Sequence, residues 1–200
     1  MAEPEFRRMT VEEFLDWHER QEERYELVNG FPIQIFPPKG MTGGRRVHNR
    51  VTQNIGSALE PITRRRGCET TTHNTGVRTP SYGIRYPDVT IDCGSGTDDD
   101  LTATEPIVVV EVSSPSNTAR EVTDKLEEYR AHPTIRIIMW VEPQVVSIKL
   151  YRRVDDAWTI ERYHRLERTI PLPEIGGELS VADIYYGLDP EIGPDLAIVD

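Results

Sequence analysis

The sequence lacks any long hydrophobic run. No stretch approaches the roughly 18 apolar residues that a membrane-spanning helix requires. The first residues, MAEPEFRRMTVEEF, also lack the apolar segment of a signal peptide. These two absences exclude a helical membrane protein and predict a cytoplasmic chain that has no membrane partner.

Cysteine is equally scarce, because Cys68 and Cys93 are the 2 cysteines of the chain and they form no CxxC pair. A disulfide framework and a cysteine zinc site are therefore not indicated, and we expect two buried thiols. The sequence also contains no GxSxG element and no Walker-type phosphate loop. Serine-hydrolase and P-loop chemistry consequently have no support.

Positive charge is in short supply, with 23 basic against 34 acidic residues and a net charge of −11. This balance argues against a protein that coats nucleic acid by electrostatics alone. The segment 39–66 is the exception, since seven of its residues are basic and only Glu60 is acidic. Such a strip is compatible with phosphate binding, and equally with an ordinary solvated helix face.

Two hundred residues suit one compact domain, which we place at residues 1–190 with a tail at 191–200. Thr10 and Glu13 have capping-box spacing and predict a helix over residues 11–23. Alternating residues around Asn29-Gly30 predict a hairpin that carries Glu26 in a strand. Apolar residues about four apart predict a helix over 45–65. Residues rich in β-branched side chains predict two strands, at 68–79 and 84–92, and a loop follows at 94–105.

The second half of the chain begins with its most apolar segment, Pro106 to Val112, which is typical of a buried central strand. A helix over 118–131 and a strand over 135–141 follow, and this succession favours parallel pairing of the two strands. A hairpin over 145–163 turns at Asp155-Asp156, and a short helix lies near 181–186. The elements predict an α/β (α+β) fold.

Acidic residues in apolar strands are the candidates for chemistry. Glu111 interrupts IVVVEV, Asp88 follows Pro87 between apolar neighbours, and Glu26 lies in YELV. Buried carboxylates are costly unless they are paired or bind a cation, so the three could converge on one divalent metal ion. Lys125, on the helix after the Glu111 strand, could act on the substrate phosphate. The alternatives are structural acids paired with arginine and a surface pair between Lys125 and Glu121.

The order and spacing of these residues resemble a known nuclease signature. Pro87-Asp88 and Glu111-Val112-Ser113 resemble the PD-(D/E)XK nuclease signature, with Ser113 in the place of its lysine. The segments YELVNG, RYPDVTI, VVVEVSSPSNTAREVTDKLEEYR and MWVEP are similar to those of the Uma-two family of restriction-endonuclease-like proteins. The resemblance implies a restriction-endonuclease-like αβββαβ core, in which a central mixed sheet is flanked by helices. An N-terminal helix-hairpin and a C-terminal β-hairpin would be additions to it.

The resemblance also implies roles for individual residues. Asp88, Glu111 and the Val112 carbonyl would bind Mg²⁺ or Mn²⁺, and Glu26 would complete the acidic cluster. Lys125 would replace the lysine missing at Ser113 and place or deprotonate the attacking water. His48, on the basic helix, resembles a recurrent histidine of the family, which implies a contact with phosphate or with the acidic cluster. The charge of the same helix suggests that Arg45, Arg46 and Arg50 could hold the flanking DNA backbone.

The activity implied is metal-dependent hydrolysis of DNA phosphodiester bonds by an endonuclease. A homodimer is expected if both strands are cut, because one site cuts one strand. Two alternatives remain open at this point. The chain could be a catalytically inactive nucleic-acid-binding or regulatory module, which Ser113 and the net charge favour, or a hydrolase of small phosphate esters that uses the same carboxylates.

Overall fold

The computed structural model of the protein describes residues 7–35, 46–115 and 117–192. The elements in this part of the chain are, in order, α1 (Val11–His18), β1 (Tyr25–Val28), β2 (Phe31–Gln34), α2 (Arg46–Arg64), β3 (Glu69–Thr72), β4 (Val77–Thr79), β5 (Gly83–Arg85), β6 (Val89–Asp92), β7 (Pro106–Val112), α3 (Ala119–Ala131), β8 (Ile137–Glu142), β9 (Ser147–Val154), β10 (Ala157–Tyr163), β11 (Thr169–Leu172), β12 (Gly177–Ser180) and α4 (Val181–Ile184).

The central feature is a six-stranded mixed sheet in the order β10-β9-β8-β7-β6-β3. β7 and β8 pair in parallel, and the other neighbouring strands are antiparallel. The predicted parallel pairing across α3 is therefore confirmed. The α2 residues Val51, Ile55 and Leu59 pack on one face of this sheet, and Tyr129 of α3 packs on the other. The result is the predicted α+β architecture of a mixed sheet between helices.

The N-terminal helix and hairpin form as predicted, although the helix is shorter. Thr10 and Glu13 make both hydrogen bonds of the capping box, and β1 and β2 pair across Asn29-Gly30. The prediction that the helix reaches residue 23 is wrong, because α1 ends at His18. The ring of His18 explains this end: its Nε2 accepts a hydrogen bond from the Tyr25 N–H at 3.2 Å and turns the chain into β1.

The prediction of two strands over 68–92 is also wrong, because this segment forms the four short strands β3 to β6. β3 and β6 belong to the central sheet, whereas β4 and β5 leave it. They join the N-terminal hairpin in a second sheet of order β2-β1-β5-β4. His73 and Tyr82 have positive φ values of 61° and 57°, in turns that precede β4 and β5. This departure of β4 and β5 from the central sheet brings the N-terminal hairpin next to it.

Cys68 and Cys93 form a disulfide, which contradicts the expectation of two thiols. The strand register explains the pairing. Glu69 lies opposite Asp92 in the antiparallel ladder of β3 and β6, so Cys68 and Cys93 are the next opposed pair outward. Sequence spacing alone could not reveal this, because the two residues are neighbours only after the strands pair.

The C-terminal hairpin of β9 and β10 turns at Asp155-Asp156 as predicted. A second hairpin, of β11 and β12, was not expected from its proline-interrupted sequence. It leads into α4, and the Asn54 amide of α2 donates hydrogen bonds to the Ile184 and Tyr186 carbonyls there. Across the described residues, none of the helices has the length and apolar character that crossing a membrane requires.

Candidate active site

Asp88 and Glu111 meet where β6 and β7 lie side by side. Val89 is paired with Val110, so Asp88 and Glu111 occupy the next opposed positions. The Val112 N–H donates to Asp88 Oδ2 at 2.7 Å, which holds the carboxylate at the end of β7. Antiparallel pairing thus joins two acids that are distant in sequence, as the nuclease resemblance implies.

Lys125 points from α3 toward the same strand end. Its Nζ lies 3.1 Å from Glu111 Oε1 and 3.1 Å from Glu26 Oε1, and the residue is only 6% exposed. The alternative of a surface pair with Glu121 is therefore wrong. The α3 side chains follow the helical spacing, so Tyr129, one turn on, also reaches Glu111 and donates to Oε1 at 2.6 Å.

Glu26 joins this cluster from the second sheet. Its Oε2 accepts from Arg85 at 2.8 Å, and its Oε1 accepts from the Tyr86 N–H at 3.2 Å in addition to contacting Lys125. Arg85 in turn makes two hydrogen bonds with Glu128 of α3, at 2.6 and 2.9 Å. Glu26 is therefore engaged by two cations and a backbone amide, and Arg85 ties the second sheet to α3.

Burial and charge set the protonation of this cluster. Burial raises the pKa of Glu111 above its usual value, and the charges of Asp88 and Glu26 add to the effect against that of Lys125. For Glu26, burial alone would raise the pKa, but Lys125 and Arg85 lower it overall. Burial would lower the pKa of Lys125, and the adjacent Glu111 and Glu26 raise it instead. Lys125 consequently holds its proton firmly.

Two histidines flank Asp88 on the side away from α3. His48 Nε2 lies 3.3 Å from Asp88 Oδ2, and His73 Nδ1 lies 3.3 Å from Asp88 Oδ1. Burial alone would raise the pKa of Asp88, but these two rings and the Val112 N–H lower it. For His48 the effect is reciprocal: burial would lower its pKa, and Asp88 raises it. Asp88 is thus an anion held in a ring of donors.

Ser113, at the position where the signature has lysine, is occupied by other partners. Its hydroxyl donates to Glu142 Oε1 at 2.7 Å and accepts from Trp140 Nε1 at 2.9 Å. The three side chains lie at the adjacent ends of β7 and β8. A pocket of about 230 Å³ opens beside them, between His48 and the turn at Pro143.

The predicted phosphate-binding residues are only partly visible. Arg46 and Arg50 are exposed on α2, whereas Arg45 lies outside the described residues. The Arg50 guanidinium lies directly against Gly187. A side chain at that glycine would clash with it, because its Cβ would be 2.8 Å from the guanidinium. Arg46 and Arg50 share the N-terminal part of α2 with His48, so any phosphate contact they make would be close to Asp88.

The donor set fits a hard divalent cation. Mg²⁺ is commonly bound through one or two carboxylates together with waters and substrate phosphate oxygens. Asp88 and Glu111 supply two such carboxylates at opposed positions, next to the Val112 backbone. Within 7–35, 46–115 and 117–192, no cluster of three or more His, Cys, Asp or Glu side chains is arranged to hold a metal ion. The role of Glu26 as a third metal ligand stays a prediction.

Sequence reasoning missed several residues around these acids. Arg85, Tyr129 and His73 were not expected there, although an arginine in the apolar strand GIRYPD was a usable signal. His73 lay inside the predicted strand over 68–79, whereas in the structure it directly follows β3, which ends at Thr72. Their roles depend on pairings between distant segments.

Comparisons with known proteins show the family and the fold of the chain. A family model, Uma2, with the description "Putative restriction endonuclease", matches residues 11–199. An uncharacterized protein of Synechocystis sp., slr1290, is 31% identical over 189 residues, which cover 92% of this chain and 94% of that protein. The crystal structure of a protein from Anabaena variabilis, titled a putative nuclease belonging to DUF820, superposes with a TM-score of 0.66 at 18% identity. It covers 88% of this chain and 97% of the other.

Proposed function

The chain belongs to the Uma2 (Uma-two) family of restriction-endonuclease-like proteins, and on this basis we propose that it is a metal-dependent endonuclease. It would hydrolyse DNA phosphodiester bonds by a PD-(D/E)XK-type mechanism. The observation that carries the proposal is the meeting of Asp88, Glu111 and Lys125 at one strand end, with Nζ of Lys125 at 3.1 Å from Glu111.

The carboxylates of Asp88 and Glu111 and the carbonyl of Val112 would hold Mg²⁺ or Mn²⁺. When bound there, such an ion lowers the pKa of water and neutralises phosphoryl charge. Asp88 is prepared for this role because its pKa is held low and its carboxylate is fixed by the Val112 N–H. Tyr129 orients Glu111 through a hydrogen bond of 2.6 Å. These contacts fix both acids before substrate arrives.

Lys125 would act as a cation rather than as a base. Its pKa is raised by Glu111 and Glu26, so the ammonium keeps its proton and can orient the attacking water or stabilise the charge that develops on the phosphate. Ser113 cannot supply that charge, because its neutral hydroxyl lies between Trp140 and Glu142. In this proposal the buried lysine on α3 takes the place of the lysine of the signature.

DNA is the proposed partner, with Arg46 and Arg50 near the backbone phosphates that flank the cut. Phosphate contacts of this kind position a substrate without reading its sequence. We also propose a homodimer for cutting both strands, because the chain carries one Asp88–Glu111 pair. Size-exclusion chromatography with light scattering would measure its mass directly.

The test is nicking of supercoiled plasmid by purified protein in Mg²⁺ or Mn²⁺, with EDTA as the metal-free control. Asp88→Asn, Glu111→Gln and Lys125→Met should each slow nicking by about 10²-fold or more. Asp156→Asn, in the exposed turn of β9 and β10, is the matched control and should leave it unchanged. Metal-independent DNA binding without nicking would instead support the inactive module. Turnover of bis(p-nitrophenyl) phosphate without DNA binding would support the small-ester hydrolase.

A further inference from the structure

A groove of about 410 Å³ runs between α2 and the edge strand β3. On the α2 side, Asn49, Gln53 and Ser57 follow one another at four-residue spacing and are exposed, so they form one ridge of the helix. On the β3 side, Thr70 and Thr72 point into the groove. Its walls are therefore built largely from amide and hydroxyl groups.

The groove has a hydroxyl with no partner in its wall. Thr52 is 1% exposed, and its Oγ1 accepts and donates no hydrogen bond within the protein. Leaving a buried hydroxyl unpaired costs free energy. A threonine in a helix usually satisfies its hydroxyl with the carbonyl one turn earlier, and Thr52 does not. Because Thr52 is one of the residues that line the groove, a ligand seated there could supply the missing partner.

The groove is continuous with the candidate active site. His73 lines one end of it and is also the residue whose Nδ1 lies 3.3 Å from Asp88 Oδ1. Asn49 follows His48, the second histidine at Asp88. A substrate strand whose phosphate lies at Asp88 can therefore continue directly into the groove.

The charge of the groove indicates which part of a nucleotide it suits. Among the described residues that line it, there is no lysine or arginine, and Glu60 at the far end is acidic. A phosphate would bind poorly there, because these residues include no lysine or arginine to neutralise its charge. Neutral amides and hydroxyls can instead hydrogen-bond the edges of bases and sugars. Asparagine and glutamine in particular can pair with two atoms of an adenine edge.

We propose that this groove is a nucleotide subsite, in which Thr52, Asn49 and Gln53 hydrogen-bond the base and sugar next to the bond cut at Asp88. The subsite rests on the proposed nuclease function and extends it, because it gives the enzyme a base preference beside the cut. Specificity here would come from neutral hydrogen bonds, while the phosphates are held elsewhere.

Thr52→Val is the decisive variant, since it removes the hydroxyl and keeps the shape. Binding of a short fluorescein-labelled DNA duplex is measured by anisotropy in EDTA at several salt concentrations, beside plasmid nicking in Mg²⁺. We expect the Kd to rise about five-fold, as for the loss of one hydrogen bond. The slope of log Kd against log salt should not change, because no phosphate contact is lost. The melting temperature should be unchanged or higher, since an unpaired buried hydroxyl has been removed.

Thr71→Val is the matched control. The Thr71 hydroxyl is also buried and unpaired, but Thr71 does not line the groove. It should bind DNA like the parent protein. Asn49→Ala and Gln53→Ala should weaken binding to a similar extent and reduce the base preference at mapped cut positions. Arg46→Ala should differ by reducing the salt slope.

Equal affinity of Thr52→Val and the parent protein would overturn the subsite and leave the nuclease proposal intact, provided that the parent nicks DNA. Equal losses in Thr52→Val and Thr71→Val, or a reduced salt slope in Thr52→Val, would also overturn it. A parent protein that neither binds nor nicks DNA would remove both proposals.

Discussion

The two sides of the candidate active site are built in opposite ways. Toward α3, Glu111, Glu26, Lys125 and Arg85 are buried and satisfy one another through ion pairs and hydrogen bonds. Toward α2, Asp88 meets two histidines at 3.3 Å, and unpaired polar atoms remain on His48 and Thr52. On the α3 side, the charged groups are all paired with one another. On the α2 side, unpaired polar atoms remain that could hydrogen-bond a ligand.

This difference predicts which residues affect the stability of the fold and which affect activity. A buried pair that loses one partner leaves an uncompensated charge, so changes on the α3 side should destabilise the fold. Asp88 is at the end of a strand and its partners are histidines, so changes on the α2 side should affect activity more than stability. The following variants test this division.

The largest effect is expected for Lys125→Met. Removing the ammonium leaves Glu111 and Glu26 buried without their shared cation, which should cost about 3–5 kcal/mol of unfolding free energy. Lys149→Met, on the exposed surface of β9, should cost less than about 0.5 kcal/mol. Urea unfolding measures both. Equal costs for the two variants would show that the α3 side does not depend on its buried cation.

Asp88→Asn should show the reverse behaviour. The loss of a carboxylate that faces the substrate should slow nicking by about 10²–10³-fold, the usual range for removing one electrostatic group from a catalytic site. The free energy of unfolding should change far less than in Lys125→Met, because Asn keeps an oxygen for the Val112 N–H. Rates come from plasmid nicking in Mg²⁺. A variant that unfolds as readily as Lys125→Met would break the division between the two sides.

Tyr129→Phe tests burial at constant hydrogen-bond length. Tyr129 donates to Glu111 at 2.6 Å in the interior, and Tyr163 donates to the partly exposed Glu161 at the same distance. The first bond should contribute about 1–3 kcal/mol, because its loss leaves a buried carboxylate short of a donor. Tyr163→Phe should cost less than about 1 kcal/mol, since water can replace the hydroxyl. Thermal unfolding of both variants decides whether burial accounts for the difference.

The smallest effect is a pH dependence at the α2 side. Asp88 raises the pKa of His48 above its value in the unfolded chain, so the stabilisation is complete below about pH 6.5 and is lost as the pH rises through the folded pKa. His132 is the opposite control. Burial and Arg153 lower its pKa, so its cost appears as the pH falls below about 6.5.

Urea unfolding in EDTA across this pH range measures both effects. His48→Gln should be less stable than the parent at low pH and should approach the parent's free energy of unfolding at high pH. His132→Gln should be more stable relative to the parent at low pH than at high pH. The same sign for both variants would contradict the assignment of Asp88 as the partner of His48.

Local patterns predicted much of the fold. Asn29-Gly30 determined the first hairpin, the apolar spacing of Val51, Ile55 and Leu59 determined α2, and the β-branched run before Glu111 identified the central strand. These features depend on residues close in sequence. The excursion of β4 and β5, the disulfide and the second C-terminal hairpin depend on pairings between distant segments, for which short strands give little signal.

The candidate site divides in the same way. The positions of Asp88, Glu111 and Lys125 followed from strand and helix order together with the family resemblance. The counter-charges did not, because Arg85 reaches Glu26 and Glu128 only after the second sheet meets α3. His73 was equally hidden, since its contact with Asp88 requires β3 to pair with β6.

The route of the chain through this site has a consequence for its synthesis. Glu26 enters from β1, Arg85 from β5, Glu111 from β7 and Lys125 from α3, so the constellation joins segments made at very different times. Contacts between distant segments form slowly, because closing the loops between them costs entropy. A nascent chain that has emerged only as far as β7 exposes both acids without the lysine. Fragments that end before α3 should therefore be inert toward DNA, because the proposed activity requires at least the segment up to α3.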